Sequence, residues 1–257
     1  MAREENINKF WWERECVREQ AFENIWSNTI NNVFADVASY YDCVNRVASL
    51  GLIDWFRKSF ISIIEVKPQQ RVLDVCAGTN AVGIALLQKQ PNLIIHAVDR
   101  SEEMQRVGQE QANVNGFHID STITDVYSLP FSDNHFDIVT IQFASRHLKL
   151  ITLIKEIKRV LKPGGHFYHS DMLRPSNKLM EKAYFAYLTA CVSVVAWVFN
   201  SDQYALDCKK YFVDALRMFY SSEEMTQLLY DQGFTAVSSK SILGGVVGSH
   251  KAMSASY

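Results

Sequence analysis

The ten residues Arg71-Val72-Leu73-Asp74-Val75-Cys76-Ala77-Gly78-Thr79-Asn80 decide how this chain is read. A hydrophobic strand runs into a loop of small residues, and positions 81–88 that follow have helical composition. A strand that turns through small residues into a helix brings backbone N–H groups and a helix N-terminus close to a ligand. Alone, Gly78 also fits a plain tight turn in which it only supplies an unusual φ.

Downstream residues strengthen the ligand reading. Ile94-Ile95-His96-Ala97-Val98-Asp99 is a second apolar run, and its terminal acid follows the loop at close to the ~20-residue interval at which a carboxylate meets a ribose hydroxyl pair. Capping of a helix that begins at Ser101-Glu102-Glu103 is the competing role for Asp99. A third acid, Asp125, follows the run 121–124, where it can accept from an adenine amino group while Val126 covers the base. Further short runs at 138–141 and 165–170 alternate with helical periods, which predicts a parallel sheet with crossover helices.

Upstream, residues 1–66 are helical and aromatic-rich, from Phe10-Trp11-Trp12 to the amphipathic run 52–66 ahead of Pro68. Beyond the sheet, 179–234 is helical again, and 236–252 reads as two strands around Gly244-Gly245. The expected architecture is an α/β Rossmann-like sheet with helices on both faces. A helical cap occupies 1–66, and the sheet region, 67–257, carries a substrate-side helical insertion at about 176–220.

With 257 residues and 48 % hydrophobic content, one decorated α/β core is expected. A formal net charge of −2 gives no reason to expect a nucleic-acid partner, so a small-molecule substrate is the default. Five scattered cysteines without a CxxC spacing argue against a disulfide framework or zinc site and for a reducing, cytoplasmic setting. The acidic N-terminus is unlike a targeting signal. The apolar stretch 188–199 is short of the roughly 20 residues of a spanning helix, and no histidine grouping has metal-ligand spacing.

In joint order and spacing, Leu73-Asp74…Gly78-Thr79, Val98-Asp99-Arg100-Ser101, Asp125…Leu129-Pro130-Phe131-Ser132-Asp133-Asn134-His135-Phe136-Asp137 and Arg159-Val160-Leu161-Lys162-Pro163-Gly164-Gly165 resemble the successive motifs of class I methyltransferases. The resemblance implies a seven-stranded sheet of order 3-2-1-4-5-7-6 with the last strand antiparallel. It implies S-adenosyl-L-methionine as cofactor, with Asp74, Gly78, Thr79, Asp99, Arg100, Asp125, Val126 and Gln142 around it. A dinucleotide fingerprint would need later glycines where Asn80 and Ala81 stand.

The segment Val33-Phe34-Ala35-Asp36-Val37-Ala38-Ser39-Tyr40-Tyr41-Asp42-Cys43-Val44-Asn45, followed by Leu50-Gly51, resembles the N-terminal signature of the ubiquinone/menaquinone C-methyltransferases. Matches continue in order through 139–147 with Arg146, Asp171…Pro175, Tyr184…Tyr187, Tyr211, Phe219 and 244–250. The likeness implies methylation of a ring carbon of a demethylated, polyprenylated quinol, with Tyr41 near the cofactor's sulfur. Departures are Asn80 for a glycine, Ala81 for an acid, His147 for an asparagine, a missing proline in 188–199 and an insertion around 200–210. They leave open an O- or N-methyltransferase of another aromatic or lipophilic acceptor, a non-catalytic cofactor-binding module, and an assembly protein that binds no cofactor. A homodimer and peripheral membrane contact are both compatible with the sequence.

Methylation of a ring carbon needs an aligned, electron-rich carbon, so the protein must position the ring and stabilise a phenolate. By resemblance Arg146 is placed to do this, directly or through a water, although its fixed charge makes it a poor base. His147 is the better base by residue type. Asp171 can pair with Arg146 or accept a proton. His169 and His250 are reserves that fit core histidines equally well. Phe10, Trp11, Trp12, Tyr184, Phe185, Tyr187 and Trp197 fit either a lid and lipophilic channel or plain core.

Overall fold

The computed structural model describes the backbone of residues 2–198 and 203–255. The expected insertion at 200–210 falls partly outside the described residues, as does the Trp197 side chain. Four helices open the chain: α1 (Ala2–Asn24), widening into a π turn at Ile25–Thr29, then α2 (Ile30–Val37), α3 (Tyr41–Ala48) and α4 (Leu52–Ile63). The sheet region follows as β1 (Arg71–Val75), α5 (Ala81–Lys89), β2 (Ile94–Asp99), α6 (Glu102–Val114), β3 (Asp120–Ile123), β4 (Phe136–Gln142), α7 (Leu150–Val160) and β5 (Leu161–Met172). Helices α8 (Lys178–Val198), α9 (Gln203–Met218) and α10 (Ser222–Asp231) precede β6 (Phe234–Ile242) and β7 (Val247–Ser254).

The seven strands form one sheet in the order β3-β2-β1-β4-β5-β7-β6, as the motif order implies, with β7 antiparallel to both neighbours. The central strands are apolar because both faces are covered. Val72, Leu73 and Val75 of β1 are fully buried, each worth roughly 1.5–3 kcal/mol of transfer free energy. On one face, Phe60 of α4, Leu86 of α5 and Ala112 of α6 pack with Val72 and Ile95. On the other, Leu153 and Ile157 of α7 and Leu228 of α10 pack with Leu73, Val139 and Phe167.

A cap is built from both ends of the chain. Phe22, Trp26 and Ile30 cluster with Tyr211 and Ala215 of α9, and α9 clusters through Val213 and Leu216 with Tyr184 and Phe185 of α8. Trp11 packs instead on Tyr220 and donates to Asp231, and Lys155 of α7 lies over the Trp12 ring. Phe10, Trp11 and Trp12 are therefore anchored beside α7 and α10, apart from Tyr184 and Phe185.

The anchor of α1 is an ion pair between Glu15 and Arg18, each about 1 % exposed. One turn of helix separates them, so their side chains share a face. Glu15 also accepts from the Leu150 amide at 2.7 Å and the Tyr220 hydroxyl at 2.7 Å, placing a negative charge at the N-terminus of α7. Arg18 donates to the Arg146 carbonyl at 3.0 Å and lies over the Phe219 ring. Substituting Arg18→Met leaves a buried carboxylate with no cation, and is expected to cost roughly 3–5 kcal/mol in urea denaturation. The double variant with Glu15→Gln should recover most of that loss.

Candidate functional site

Parallel strands end along one edge, so the residues leaving β1, β2 and β4 converge. Asp74, Cys76, Gly78 and Thr79 from β1, Gln142 and Phe143 from β4, and Tyr41, Asn45 and Arg57 from the cap line a narrow cleft of about 60 Å³. Cys76 and Phe143 leave their strands at φ of 54° and 58°, and Asn80 sits at 58°. Left-handed backbone at non-glycine residues costs on the order of 1–3 kcal/mol each and persists where the surroundings impose it.

The glycine-to-asparagine departure at Asn80 now has a physical account. The position caps α5 in the left-handed region, which asparagine tolerates better than other side chains. Its Oδ1 accepts from Gln105 at 3.0 Å, and the Gln105 amide also donates to the Gly78 carbonyl at 2.9 Å. Gly108 of α6 makes room for this: a Cβ there would lie 2.8 Å from the Asn80 amide. The loop thus keeps its shape without the glycine.

Asp74 lies directly opposite Thr140 in the sheet, and its Oδ1 accepts the Thr140 hydroxyl at 2.7 Å. Its other oxygen is buried with no protein partner. Burial pushes its pKa up to about 7 against the help of Thr140, and the neighbouring Asp99 adds to the rise. Asp99 accepts from the Gly78 amide and the Ser101 amide, both at 2.9 Å, and burial raises its pKa too. The cap of α6 is Ser101, whose hydroxyl accepts from the Met104 amide, so Asp99 ties the loop to α6 without serving as its N-cap.

Arg100 is exposed and donates to the Trp26 carbonyl. Asp125 is exposed, and its carboxylate accepts from the Tyr127 amide. Val126 is 5 % exposed and packs in the core beside Val98 and Leu129. Thr79 donates to Asp42 of α3, which also receives Gln111, so α3 is latched over the cleft.

Beside the cleft lies a second group centred on Arg146, in the short turn Ser145–His147 after β4. Arg146 pairs with the fully buried Asp171 of β5 and donates to the Phe143 carbonyl at 2.8 Å, which joins it to the cleft wall. Burial opposes its charge, but the Asp171 carboxylate prevails and holds the guanidinium protonated. Asp171 also accepts from the Ser145 hydroxyl at 2.6 Å, the Arg146 amide at 3.2 Å and the Met172 amide at 2.7 Å. Its acceptor sites are thus occupied, and it has no exposed surface. It accepts from one guanidinium nitrogen of Arg146 and from the Arg146 amide.

His147 is packed between the cap and the turn after β4. It is 5 % exposed, contacts Tyr211 of α9 through Nδ1, and lies beside the Phe34 and Phe212 rings. Burial, then the charges of Arg146 and Arg18, pushes its pKa well below the usual histidine value, making it a weak proton acceptor. His169 and His250 face each other across β5 and β7, bonded to Ser145 and to Ser222. Burial lowers both to about 3, as for satisfied core histidines.

Tyr184 is 6 % exposed, its hydroxyl has no partner, and its pKa is raised by burial and lowered by the charge of Arg146. Arg146 Nε is likewise buried and unpartnered. Glu15, Arg18, Thr140 and Ser145, which build this edge, do not stand out from the sequence. Only the Thr140 position, in phase with Asp74 on an adjacent strand, carried a usable signal.

A seven-stranded sheet with this order, a left-handed loop after β1 and an acid closing β2 define a class I S-adenosyl-L-methionine-dependent methyltransferase. The lining of the cleft matches polar parts of that cofactor in kind, because apolar walls carry an unpartnered carboxylate oxygen and unpartnered N–H groups, while the cleft's volume of about 60 Å³ is smaller than the whole cofactor. The chain belongs to the ubiE/COQ5 methyltransferase family, whose model matches residues 22–254. It is 32 % identical over 227 residues to the ubiquinone/menaquinone biosynthesis C-methyltransferase of Pseudomonas putida (strain W619), covering 86 % of this chain and 87 % of that protein. The homologue from Pseudomonas syringae pv. tomato is 31 % identical over 231 residues, with the same coverage of each chain.

Solved structures share the fold at lower identity. An S-adenosyl-L-methionine-dependent methyltransferase from Aquifex aeolicus superposes with a TM-score of 0.58 at 18 % identity, covering 83 % of this chain and 97 % of that one. Phosphoethanolamine N-methyltransferase 2 of Haemonchus contortus gives 0.57 at 14 %, covering 80 % and 53 %. Among the described residues no helix is long and apolar enough to cross a membrane.

Because Asp74 ionises at about 7 when folded and near 3.9 when unfolded, its charge costs stability as pH rises through that window. Asp74→Asn is therefore expected to melt higher than wild type at pH 8, by at most about 4 kcal/mol of unfolding free energy. Scanning calorimetry should show the gain shrinking as the pH falls toward 4.

Proposed function

We propose that this protein transfers a methyl group from S-adenosyl-L-methionine to a ring carbon of a quinol-like aromatic acceptor of the demethylmenaquinol or demethylubiquinol type. One observation carries this reading: Arg146 Nε and the Tyr184 hydroxyl are buried donors without partners beside the wall of the cofactor cleft. Buried donors are rarely left unpaired in a folded protein. A phenolate oxygen satisfies both. The names of the family relatives, which act in ubiquinone and menaquinone biosynthesis, support the same acceptor class.

Bound S-adenosyl-L-methionine supplies an electrophilic methyl on a sulfonium. Asp99 is assigned to the ribose hydroxyls, Asp125 and Val126 to the adenine, and Gly78 and Thr79 to the loop that admits the cofactor. Arg100 steadies the cap through Trp26, and Tyr41 faces the sulfur end. Arg146, fixed by Asp171, Phe143 and Arg18, stabilises the phenolate and thereby raises electron density at the adjacent ring carbon. The acceptor hydroxyl proton leaves to water, since neither His147 nor Asp171 is placed to take it. After transfer the ring carbon loses its own proton and aromaticity returns. Tyr184, Phe185 and Phe34 furnish apolar surface for the ring and the start of its chain.

Calorimetric titration with S-adenosyl-L-methionine should show one saturable site that Asp99→Ala abolishes. Incubation with chemically reduced, short-chain demethylated quinols should then yield a product whose new methyl resonance is that of C–CH3. An O–CH3 signal would instead assign an O-methyltransferase, and cofactor binding without transfer to any quinol or phenol would mark a non-catalytic module. Arg146→Leu is expected to lower kcat by about 100-fold or more while leaving cofactor affinity within a factor of a few.

A further inference from the structure

His169 and His250 are buried inside the sheet, and their hydrogen bonds have a direction that the neighbouring donors and acceptors fix. The Ser145 hydroxyl has one proton and two close partners, Asp171 Oδ2 at 2.6 Å and His169 Nε2 at 2.8 Å. Asp171 also meets the Arg146 guanidinium, the Arg146 amide and the Met172 amide, all donors, which requires it to be the carboxylate. A carboxylate only accepts, so the Ser145 proton goes to Asp171. The Ser145 oxygen is then an acceptor for the ring, and His169 carries its proton on Nε2.

The same reasoning continues across the strands. A neutral ring protonated on Nε2 has a bare Nδ1, and His169 Nδ1 stands 3.2 Å from Nδ1 of His250, directly opposite on β7. His250 therefore donates from Nδ1, which leaves its Nε2 to accept the Ser222 hydroxyl at 3.3 Å. The Ser222 carbonyl, 3.1 Å from the same nitrogen, receives the Thr226 hydroxyl at 2.8 Å. Burial disfavours the cationic form of both rings, which keeps the chain in this one order. Asp171, Ser145, His169, His250 and Ser222 are all buried, so bulk water does not compete for any link.

We propose that His169, backed by His250 and Ser222, is a positioning residue for Arg146 that acts through Ser145 and Asp171. The assignment rests on the reading of Arg146 as partner of the acceptor's phenolate. His169 points the Ser145 hydroxyl at Oδ2 of Asp171, while the other carboxylate oxygen takes the guanidinium. An apolar side chain at position 169 would leave the Ser145 oxygen without a donor and its hydroxyl free to rotate off the carboxylate. The counter-ion of Arg146 would then lose one of the bonds that aim it.

The test begins with nuclear magnetic resonance of the full chain labelled in its histidine ring nitrogens, which report the tautomer directly. His169 should be protonated on Nε2 alone and His250 on Nδ1, with assignments from His169→Gln and His250→Gln. The Arg146 guanidinium signals should show restrained rotation in wild type, averaging in His169→Val and restraint again in His169→Gln, whose amide N–H replaces the ring donor. With a reduced short-chain demethylated quinol, His169→Val should lower kcat by about 10-fold, as for one lost hydrogen bond to an ionic cluster, at unchanged acceptor KM and cofactor affinity. His169→Gln should recover most of that loss. Ser145→Ala, which cuts the same link without altering β5, should match His169→Val and add nothing to it in the double variant. His169 protonated on Nδ1, equal effects of valine and glutamine, or full kcat in Ser145→Ala overturns the relay. Wild-type protein that methylates no quinol overturns the acceptor reading, and the tautomers and the Arg146 signals then decide the relay by themselves.

Discussion

A carboxylate with no exposed surface must be surrounded by cations and N–H or O–H donors, and Asp171 imposes that condition on the ends of β4 and β5. It draws in Arg146 from the turn after β4, the Ser145 hydroxyl and two backbone amides. Through those bonds the ends of β4 and β5 are fixed to each other. The Arg146 carbonyl in turn receives Arg18, so the first helix is tied to the same cluster. Removing the carboxylate would release the loop, Arg146 and the cap together.

Much of the fold was legible because its signals are local. The runs at 71–75, 94–98 and 138–141 fall on strands within a few residues, since a buried parallel strand must be apolar on both faces, and 121–124 falls on the exposed edge strand β3. The helix expected over 52–66 ends at Ile63, and β5 begins at Leu161 rather than Gly165, because pairing with Phe136 extends it backward. Asp74, Gly78, Thr79 and Gln142 do line one cleft, because the strands carrying them are parallel and end together.

Less legible was everything decided by a distant partner. His147 looked like a base because its intrinsic pKa lies near neutrality, yet burial against α9 and the charge of Arg18, neither readable from the surrounding tripeptide, act with the adjacent Arg146 to push its pKa down. Glu15 and Arg18 look like ordinary surface charges on a helix, and only the arrival of Tyr220, Leu150 and Arg146 buries them. The left-handed turn at Phe143 has no sequence marker, since bulky residues seldom adopt it. Asn80 was the converse: an apparent defect in the motif that preserves the backbone conformation the motif requires.

The anchoring of α1 also constrains how the chain acquires its shape. Trp11 bonds Asp231, Glu15 bonds Leu150 and Tyr220, and Arg14 reaches Glu224. Helix α1 therefore finds several of its partners only after roughly 200 further residues have been made. Until then it must wait with Phe22, Trp26 and a charged pair uncovered, during the interval when exposed apolar surface invites association with other chains. Contacts this far apart in sequence also carry a large loop-closure cost before they are rewarded, so docking of α1 belongs among the late, slow events of folding. The sheet can assemble from its own neighbouring units first. The Arg146 turn then acquires its final support from α1.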